Sequence, residues 1–228
     1  PGAANRVAAR FAKAAAVSFA GTPLPHPVVT GNPVRPEVLA IDRAADGPAA
    51  KAALGVDDRR ALVLVAGGSL GALSINEAVL ELADRWRDRT DVAIRHVVGD
   101  RDWDAIGGRS HAGYEQVRYE DDMPRALAAA DIGVFRSGSS MCFEVAAVGL
   151  PSILVPSPFV VGDHQTGNAM ALADAGAAVV VPDAELSADR LDRELSALLA
   201  DGDRRAAMAA SARRFARPDA ADAVAELA

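Results

Sequence analysis

The sequence holds a single cysteine, Cys142, so no internal disulfide can form and a reducing compartment is the default. Aromatic residues are scarce, 4% of 228 positions, although half of the residues are hydrophobic. Ala, Val and Leu must therefore fill the core. Positive charge is not in excess either: 24 Lys and Arg face 31 Asp and Glu, a formal net charge of −7. That balance excludes a general nucleic-acid binder, which carries a basic patch, but it leaves room for a local phosphate site. The longest uncharged run, Val145 to Gly162, approaches membrane-spanning length, yet Pro151, Pro156 and Pro158 interrupt it. It reads as a helix end, a buried strand and a loop. Solenoid repeats and low-complexity tracts are lacking. The chain opens at Pro1 without an initiator Met or a charged-then-apolar leader, and so reads as an excised piece of a longer protein.

What is present is a regular alternation. Apolar runs of strand length occur at Ala61–Ala66, Val92–Val98, Gln116–Tyr119, Ile132–Phe135, Ser152–Val155 and Ala178–Val181. Helical segments lie between most of them, at Ser74–Arg85, Pro124–Ala130, Ser140–Ala147 and Gln165–Ala175. Such a chain predicts an α/β fold, a Rossmann-like parallel sheet with helices on both faces. A helical tail follows from Ala188, broken at Asp201-Gly202-Asp203 and at Arg217-Pro218-Asp219, with Pro218 in the first turn of the last helix. Ahead of the alternating region, Asn5–Lys13 reads as a short helix and Ala16–Phe19 as a strand. The proline-rich stretch Gly21–Pro27 reads as a connector. Ala44–Pro48 reads as loose chain before a short helix at Ala49–Leu54. The expected division is residues 1–27 as the end of a preceding domain with its connector, 28–217 as the main domain, and 218–228 as a last helix packing back.

In a doubly wound sheet, ligands bind at the carboxyl ends of the strands, so the turns after the apolar runs carry the chemistry. Gly67-Gly68-Ser69-Leu70-Gly71-Ala72 follows the first run and opens a helix, which suits an anion held by free N–H groups, with Ser69 adding a hydroxyl. Its spacing fits neither the dinucleotide pattern nor the P-loop. The second turn, Arg136-Ser137-Gly138-Ser139-Ser140, presents N–H and hydroxyl groups at another helix start. Glu144 lies one helical turn beyond Ser140, on its side of the helix, where a carboxylate can accept from both hydroxyls of a ribose. A plain capped helix would also place an acid near that end. The third turn, Gly162-Asp163-His164-Gln165, offers polar side chains suited to sugar hydroxyls, with Asp163 also a competent N-cap. Arg35, between Pro33 and Pro36, is held on a stiff turn and suits a phosphate.

Taken together, Gly31-Asn32-Pro33-Val34-Arg35, Gly67 to Ala72, Asp121-Asp122-Met123, Arg136 to Ser140 with Glu144, Gly149-Leu150-Pro151, and Gln165 with Asn168-Ala169 resemble, in this order, the C-terminal domain of the MurG family of glycosyltransferases. The resemblance runs from Asn5 to the last helix. It implies one half of a two-domain GT-B enzyme that moves N-acetylglucosamine from UDP-N-acetylglucosamine to an undecaprenyl-linked muramoyl-pentapeptide precursor of peptidoglycan. It implies no metal and no cofactor, no nucleic acid, and a peripheral place at the cytoplasmic face of the cell membrane on an anionic surface. By the same resemblance Asn5, Arg35 and Ser69 contact the donor, and the backbone of Tyr119 meets the uracil edge. Ser139, Ser140, Met141, Cys142 and Phe143 surround the diphosphate, Glu144 takes the ribose and Gln165 the sugar. No catalytic residue is expected in this chain, because the family's general base belongs to the N-terminal domain. This half alone is expected to bind donor weakly and catalyse nothing.

Other patterns fall short. Asp100, Asp102 and Asp104 alternate as in a calcium loop, but Ala105 and His111 stand where Gly and Glu are needed. Asp100-Arg101-Asp102 reads as a solvated loop. Cys142 has no local base and reads as a small semi-buried residue. His26, His96 and His111 lack ligand spacing and read as structural or surface. The alternatives are a GT-B enzyme with a lipid or small-molecule acceptor, a donor-binding subunit needing a separate partner, and a nucleotide-sugar sensor.

Overall fold

A computed structural model describes residues 2–68, 72–160 and 163–227. The strand β3 (Ala61–Ala66) sets the layers, because its successive side chains point to opposite faces. Val63 and Val65 join one apolar cluster, while Leu64 and Ala66 join another. Around β3 the sheet runs β5 (Ser110–His111), β6 (Tyr114–Val117), β4 (Val92–Val97), β3, β7 (Ile132–Phe135), β8 (Ser152–Leu154) and β9 (Ala178–Val180). All neighbours pair in parallel except β5, which forms an antiparallel edge with β6.

One face of the sheet is covered by α4 (Leu73–Arg85) and α9 (Ala188–Ala200), through Ile75, Val79, Leu82, Leu191, Leu195 and Leu198. The other is covered by α6 (Met123–Ala129), α7 (Ser139–Val148) and α8 (His164–Asp174), through Leu127, Cys142, Val145 and Leu172. α7 ends at Gly149, whose φ of 63° is the left-handed conformation that glycine adopts freely, and Leu150 N–H bonds back to Val145 O. Helices on both faces of a parallel sheet are what the alternating sequence predicts.

Four details differ from the sequence reading. Ala44–Pro48 is not loose chain: α3 runs Arg43–Ala53 with Pro48 inside it. Asp42 caps it by accepting from the N–H groups of Ala44 and Ala45, and Asp46 accepts from Asp42 N–H. Gly47 and Ala50 then let α3 press on α6, a tertiary gain that overrides the poor helix propensity of Gly and Pro. Asp100–Asp104 lies in α5 (Asp100–Ile106), where two acids in the first turn favour the helix dipole. The expected strand Gln116–Tyr119 sits two residues earlier, because Tyr114 and Gln116 turn into the core while Tyr119 stays exposed. Pro218 precedes the last helix, α11 (Ala220–Ala225), instead of sitting in its first turn. The tail otherwise breaks where expected, with Asp201 capping α10 (Gly202–Phe215).

The segment before the sheet has α1 (Ala3–Ala8) and a small parallel pair, β1 (Ala15–Val17) with β2 (Pro27–Val29). Phe19 anchors this segment on Phe143 and Phe215, with ring centroids 5.3 and 6.2 Å away. The chain then turns through α2 (Pro36–Leu39) into α3. Among the described residues, no helix is long and apolar enough to cross a membrane.

Candidate nucleotide-sugar site

The chain leaves β3 toward β4 and returns across it to β7, so the topological switch point lies between β3 and β7. A cleft of about 700 Å³ opens there, lined among others by Gly67, Gly68, Arg136, Ser157, Gln165 and Asp183. Gly67 allows the turn after β3 to fold tightly, since a Cβ there would stand 2.5 Å from the Cβ of Ala72. Gly68 continues it at φ 97°. Ser69 lies outside the described residues.

At the start of α7 the local sequence is small and polar after a fully buried strand. Gly138 is the N-cap and supplies no side-chain cap. Cys142 N–H already bonds to Gly138 O, so the N–H groups of Ser139, Ser140 and Met141 are the ones left free by helix geometry. They carry the positive end of the dipole, and Arg136, two residues before the cap, lines the cleft. The hydroxyls of Ser139 and Ser140 stand 3.4 Å from Ser18 Oγ and 3.5 Å from Asn32 Nδ2, at the outer limit of hydrogen bonding. These contacts are weak enough for a ligand to replace.

The two charged candidates meet each other. Arg35 Nε donates to Glu144 Oε1 at 2.9 Å, with the carboxylate 12% and the guanidinium 50% exposed. The stiff turn that presents Arg35 as the N-cap of α2 thus lays it over α7, one helical turn from the free N–H groups. Among the described residues, the outer guanidinium nitrogens and the second carboxylate oxygen have no further partner.

Gln165 is held from two sides. Its Oε1 accepts from Ser157 N–H at 2.9 Å, and its backbone carbonyl accepts from Ser137 Oγ at 2.9 Å. Among the described residues no partner takes the side-chain amide hydrogens, and Gln165 lines the cleft. Tyr119 lies past the end of β6 with its ring 55% exposed. The neighbouring Val117 and Arg118 carbonyls accept from Val98 and Gly99, whereas the Tyr119 backbone has no such partner among the described residues. Its N–H and C=O can therefore serve a planar base edge.

Other candidates are not drawn in. The side chain of Cys142 is fully buried, and burial pushes its thiol up to about 12. Phe143 is buried between Phe19 and Phe215, so neither side chain can face a diphosphate. The buried face of the helix explains it: the residues four and five beyond the cap turn inward. Met141 packs partly on the core and offers its N–H. Asn5 sits on the exposed α1 and shares no hydrogen bond with the other candidates among the described residues. Asp163 occupies the N-cap position of α8 but does not cap it: its φ is 48°, and Oδ1 accepts from Thr166 Oγ1 at 2.6 Å.

Sequence reasoning named Arg136 only as part of its turn and missed Ser74 and Asp183, which it meets in the cleft. An arginine directly after a buried strand was the available signal. It also missed a buried polar column behind the cleft. His96 Nε2 meets Asn76 Oδ1 and His96 Nδ1 meets Tyr114 Oη, both at 2.9 Å, while Asn76 Nδ2 donates to Asp102 Oδ2 at 2.9 Å. With Oδ1 an acceptor, Nε2 carries the proton and Nδ1 accepts from the tyrosine. Burial lowers His96 to about 4, so the ring is neutral.

The fold and this cleft define one Rossmann-like half of a GT-B glycosyltransferase. Over the whole chain it superposes on 63% of the MurG of Acinetobacter baumannii, with a TM-score of 0.78 and 27% identity. The family profile described as the glycosyltransferase family 28 C-terminal domain matches residues 62–224. The chain belongs to that family. A UDP-N-acetylglucosamine--N-acetylmuramyl-(pentapeptide) pyrophosphoryl-undecaprenol N-acetylglucosamine transferase from Paenarthrobacter aurescens is 44% identical over 183 residues, covering 79% of this chain and 49% of that protein. One of the same name from Salinibacter ruber is 42% identical over 184 residues, covering 78% and 49%. The chain therefore spans about half the length of the curated relatives it matches.

Proposed function

We propose that this chain is the donor-binding half of an enzyme that transfers N-acetylglucosamine from UDP-N-acetylglucosamine to a lipid-linked muramoyl-pentapeptide acceptor. The observation that carries the reading is the start of α7. Three N–H groups without a partner among the described residues sit there one helical turn from the Arg35–Glu144 pair, and the chain reaches them three residues after Arg136, which lines the switch-point cleft. An anionic diphosphate is the natural occupant of such a helix end. With it seated there, Glu144 Oε2 lies within reach of ribose hydroxyls, Arg35 reaches a phosphate oxygen, Gln165 faces the sugar, and the Tyr119 backbone faces the base. The names of the family relatives supply the sugar and the acceptor.

Transfer would proceed by displacement at the anomeric carbon with inversion. The acceptor hydroxyl loses its proton to a base in the other domain, and the bond to UDP breaks as the new glycosidic bond forms. This chain's part is to hold the charge growing on the departing diphosphate with fixed dipoles and Arg35, which need no reorganisation. Cys142 takes no role, since its thiol is buried and protonated. The acceptor, the membrane surface and a peripheral place at its cytoplasmic face belong to the complete protein. Residues 1–27 are proposed as the end of its first domain with the connector, 28–217 as the donor domain, and 218–228 as the returning helix.

Calorimetric titration with UDP-N-acetylglucosamine tests the site. Replacing Glu144 by Ala is expected to weaken binding about tenfold or more, the worth of charge-assisted hydrogen bonds to two hydroxyls. Equal affinity in the two proteins would rule the ribose assignment out.

A further inference from the structure

The cleft floor contains a cation that the proposed contacts do not use. Arg136 follows β7 directly, and its side chain is only 11% exposed. Its Nη1 donates to Val155 O at 3.2 Å, to Pro156 O at 3.1 Å and to Asp183 Oδ1 at 2.5 Å. Nη2 donates to Ser74 Oγ at 2.8 Å, and the Ser74 hydroxyl in turn donates to Asp183 Oδ1 at 2.7 Å. One guanidinium thus joins four segments: the end of β7, the end of β8 with its proline loop, the turn after β9, and the first turn of α4. Strand pairing already holds β7 to β8 and β8 to β9, so the sheet does not need this knot. Burying a charge is costly unless it is fully paired, and Arg136, Ser74 and Asp183 all line the ligand cleft.

The consequence runs to Gln165. The carbonyls that Arg136 holds belong to Val155 and Pro156. The next N–H along the chain, that of Ser157, holds the Gln165 amide oxygen at 2.9 Å. From the other side, Ser137 Oγ holds the Gln165 carbonyl, and Asn168 Nδ2 donates to Ser137 O at 2.9 Å. Arg136 therefore fixes one of the two clamps that aim the Gln165 amide into the cleft. We propose that Arg136, with Ser74 and Asp183, is a positioning cluster for the sugar part of the donor site, setting selectivity for a nucleotide sugar over the bare nucleotide. This rests on the donor-binding reading above. A planar fork reaching three segments cannot be copied by lysine, whose ammonium is a point charge on a flexible stem. A site that recognises a ligand by hydrogen bonds loses discrimination when its polar groups move by a fraction of an ångström.

The test titrates the full chain with UDP-N-acetylglucosamine and with UDP, for the unaltered protein, Arg136→Lys and Ser74→Ala. Arg136→Lys is expected to weaken the sugar nucleotide by about tenfold and UDP by less than about threefold, so the ratio of the two affinities falls. Ser74→Ala, which removes one hydroxyl and keeps the fold, is expected to lower the same ratio by about threefold. Equal losses for both ligands, or no loss, overturn the proposal. Hydrogen exchange separates this from failure of the donor reading. If the unaltered protein binds neither ligand, the donor reading fails. The cluster is then judged by the Ser157 amide, expected to exchange about tenfold faster in either variant, and unchanged exchange overturns it.

Discussion

Two polar regions flank the central strands, and they are built to opposite rules. Behind the cleft, Tyr114, His96, Asn76 and Asp102 form a column in which the hydrogen-bonding groups of the ring and the amide find a partner. At the start of α7, three N–H groups, two hydroxyls and parts of an ion pair have weak partners or none among the described residues. Both regions hold residue types that can carry chemistry, a histidine and an aspartate in one, serines and a glutamate in the other. Satisfaction separates them. A buried polar group that is fully bonded fixes the fold, whereas polar groups left open on a rigid frame are what a ligand completes.

The sharpest way to break this comparison is at the centre of the closed column. His96→Leu would orphan the Tyr114 hydroxyl and the Asn76 carbonyl, and it is expected to cost about 4 kcal/mol of stability in urea denaturation. UDP affinity should stay within about twofold at a temperature where the variant is folded. A large loss of affinity with normal stability would show that the column serves the ligand directly.

Acid probes the same column next. His96 titrates at about 4 in the folded chain, against an ordinary value near 6.5. The unfolded state therefore takes up a proton first as pH falls. The stability from keeping this ring neutral is complete above about pH 6.5 and is lost progressively as pH falls toward 4, on the order of 3 kcal/mol. Urea midpoints measured across that range should fall, and the His96→Leu protein should lose less of its stability over the same window. Parallel curves for the two proteins would remove His96 from the account.

The division between open and closed was only partly legible in the sequence. Strands β3 and β7 were readable to the residue, because unbroken apolar runs between turn residues have few other solutions. The helix starts that face the cleft were readable because Gly and Ser after a buried strand signal free N–H groups. Pairings at long range were not. Arg35 and Glu144 read separately as phosphate and ribose contacts, yet they touch, and nothing local to either residue announces it. The cluster of Ser74, Arg136 and Asp183 was invisible for the same reason. α3 was obscured by Gly47 and Pro48, whose local preference lost to a cap and to packing on α6. Asp102 read as solvated because its partner Asn76 comes from another helix.

At the open region a substitution can move stability and binding in opposite directions. Ser140 is exposed at the second position of α7. Ser140→Glu places a negative charge where the dipole welcomes it, so thermal stability should hold or rise by about 0.5 kcal/mol. The same charge would face a diphosphate at the proposed site, and UDP affinity should then drop about 30-fold, roughly 2 kcal/mol. A variant that loses both, or neither, would mean that the diphosphate rests elsewhere.

The smallest effect tests the boundary within α7 itself. Cys142 is two residues beyond Ser140, but the turn of the helix carries it from the open side into the core beside Leu64, Val145 and Leu172. A thiol held up to about 12 by burial behaves there as a small apolar group. Cys142→Ala should cost about 1 kcal/mol in urea denaturation, the worth of a little lost packing, and leave UDP affinity within about twofold. In the unaltered protein the thiol should resist a disulfide reagent at pH 8 until denaturant exposes it. Rapid labelling of the native chain, or a tenfold loss of affinity in Cys142→Ala, would place this side chain on the ligand side of α7. The open region would then reach deeper into the helix than its hydrogen bonds indicate.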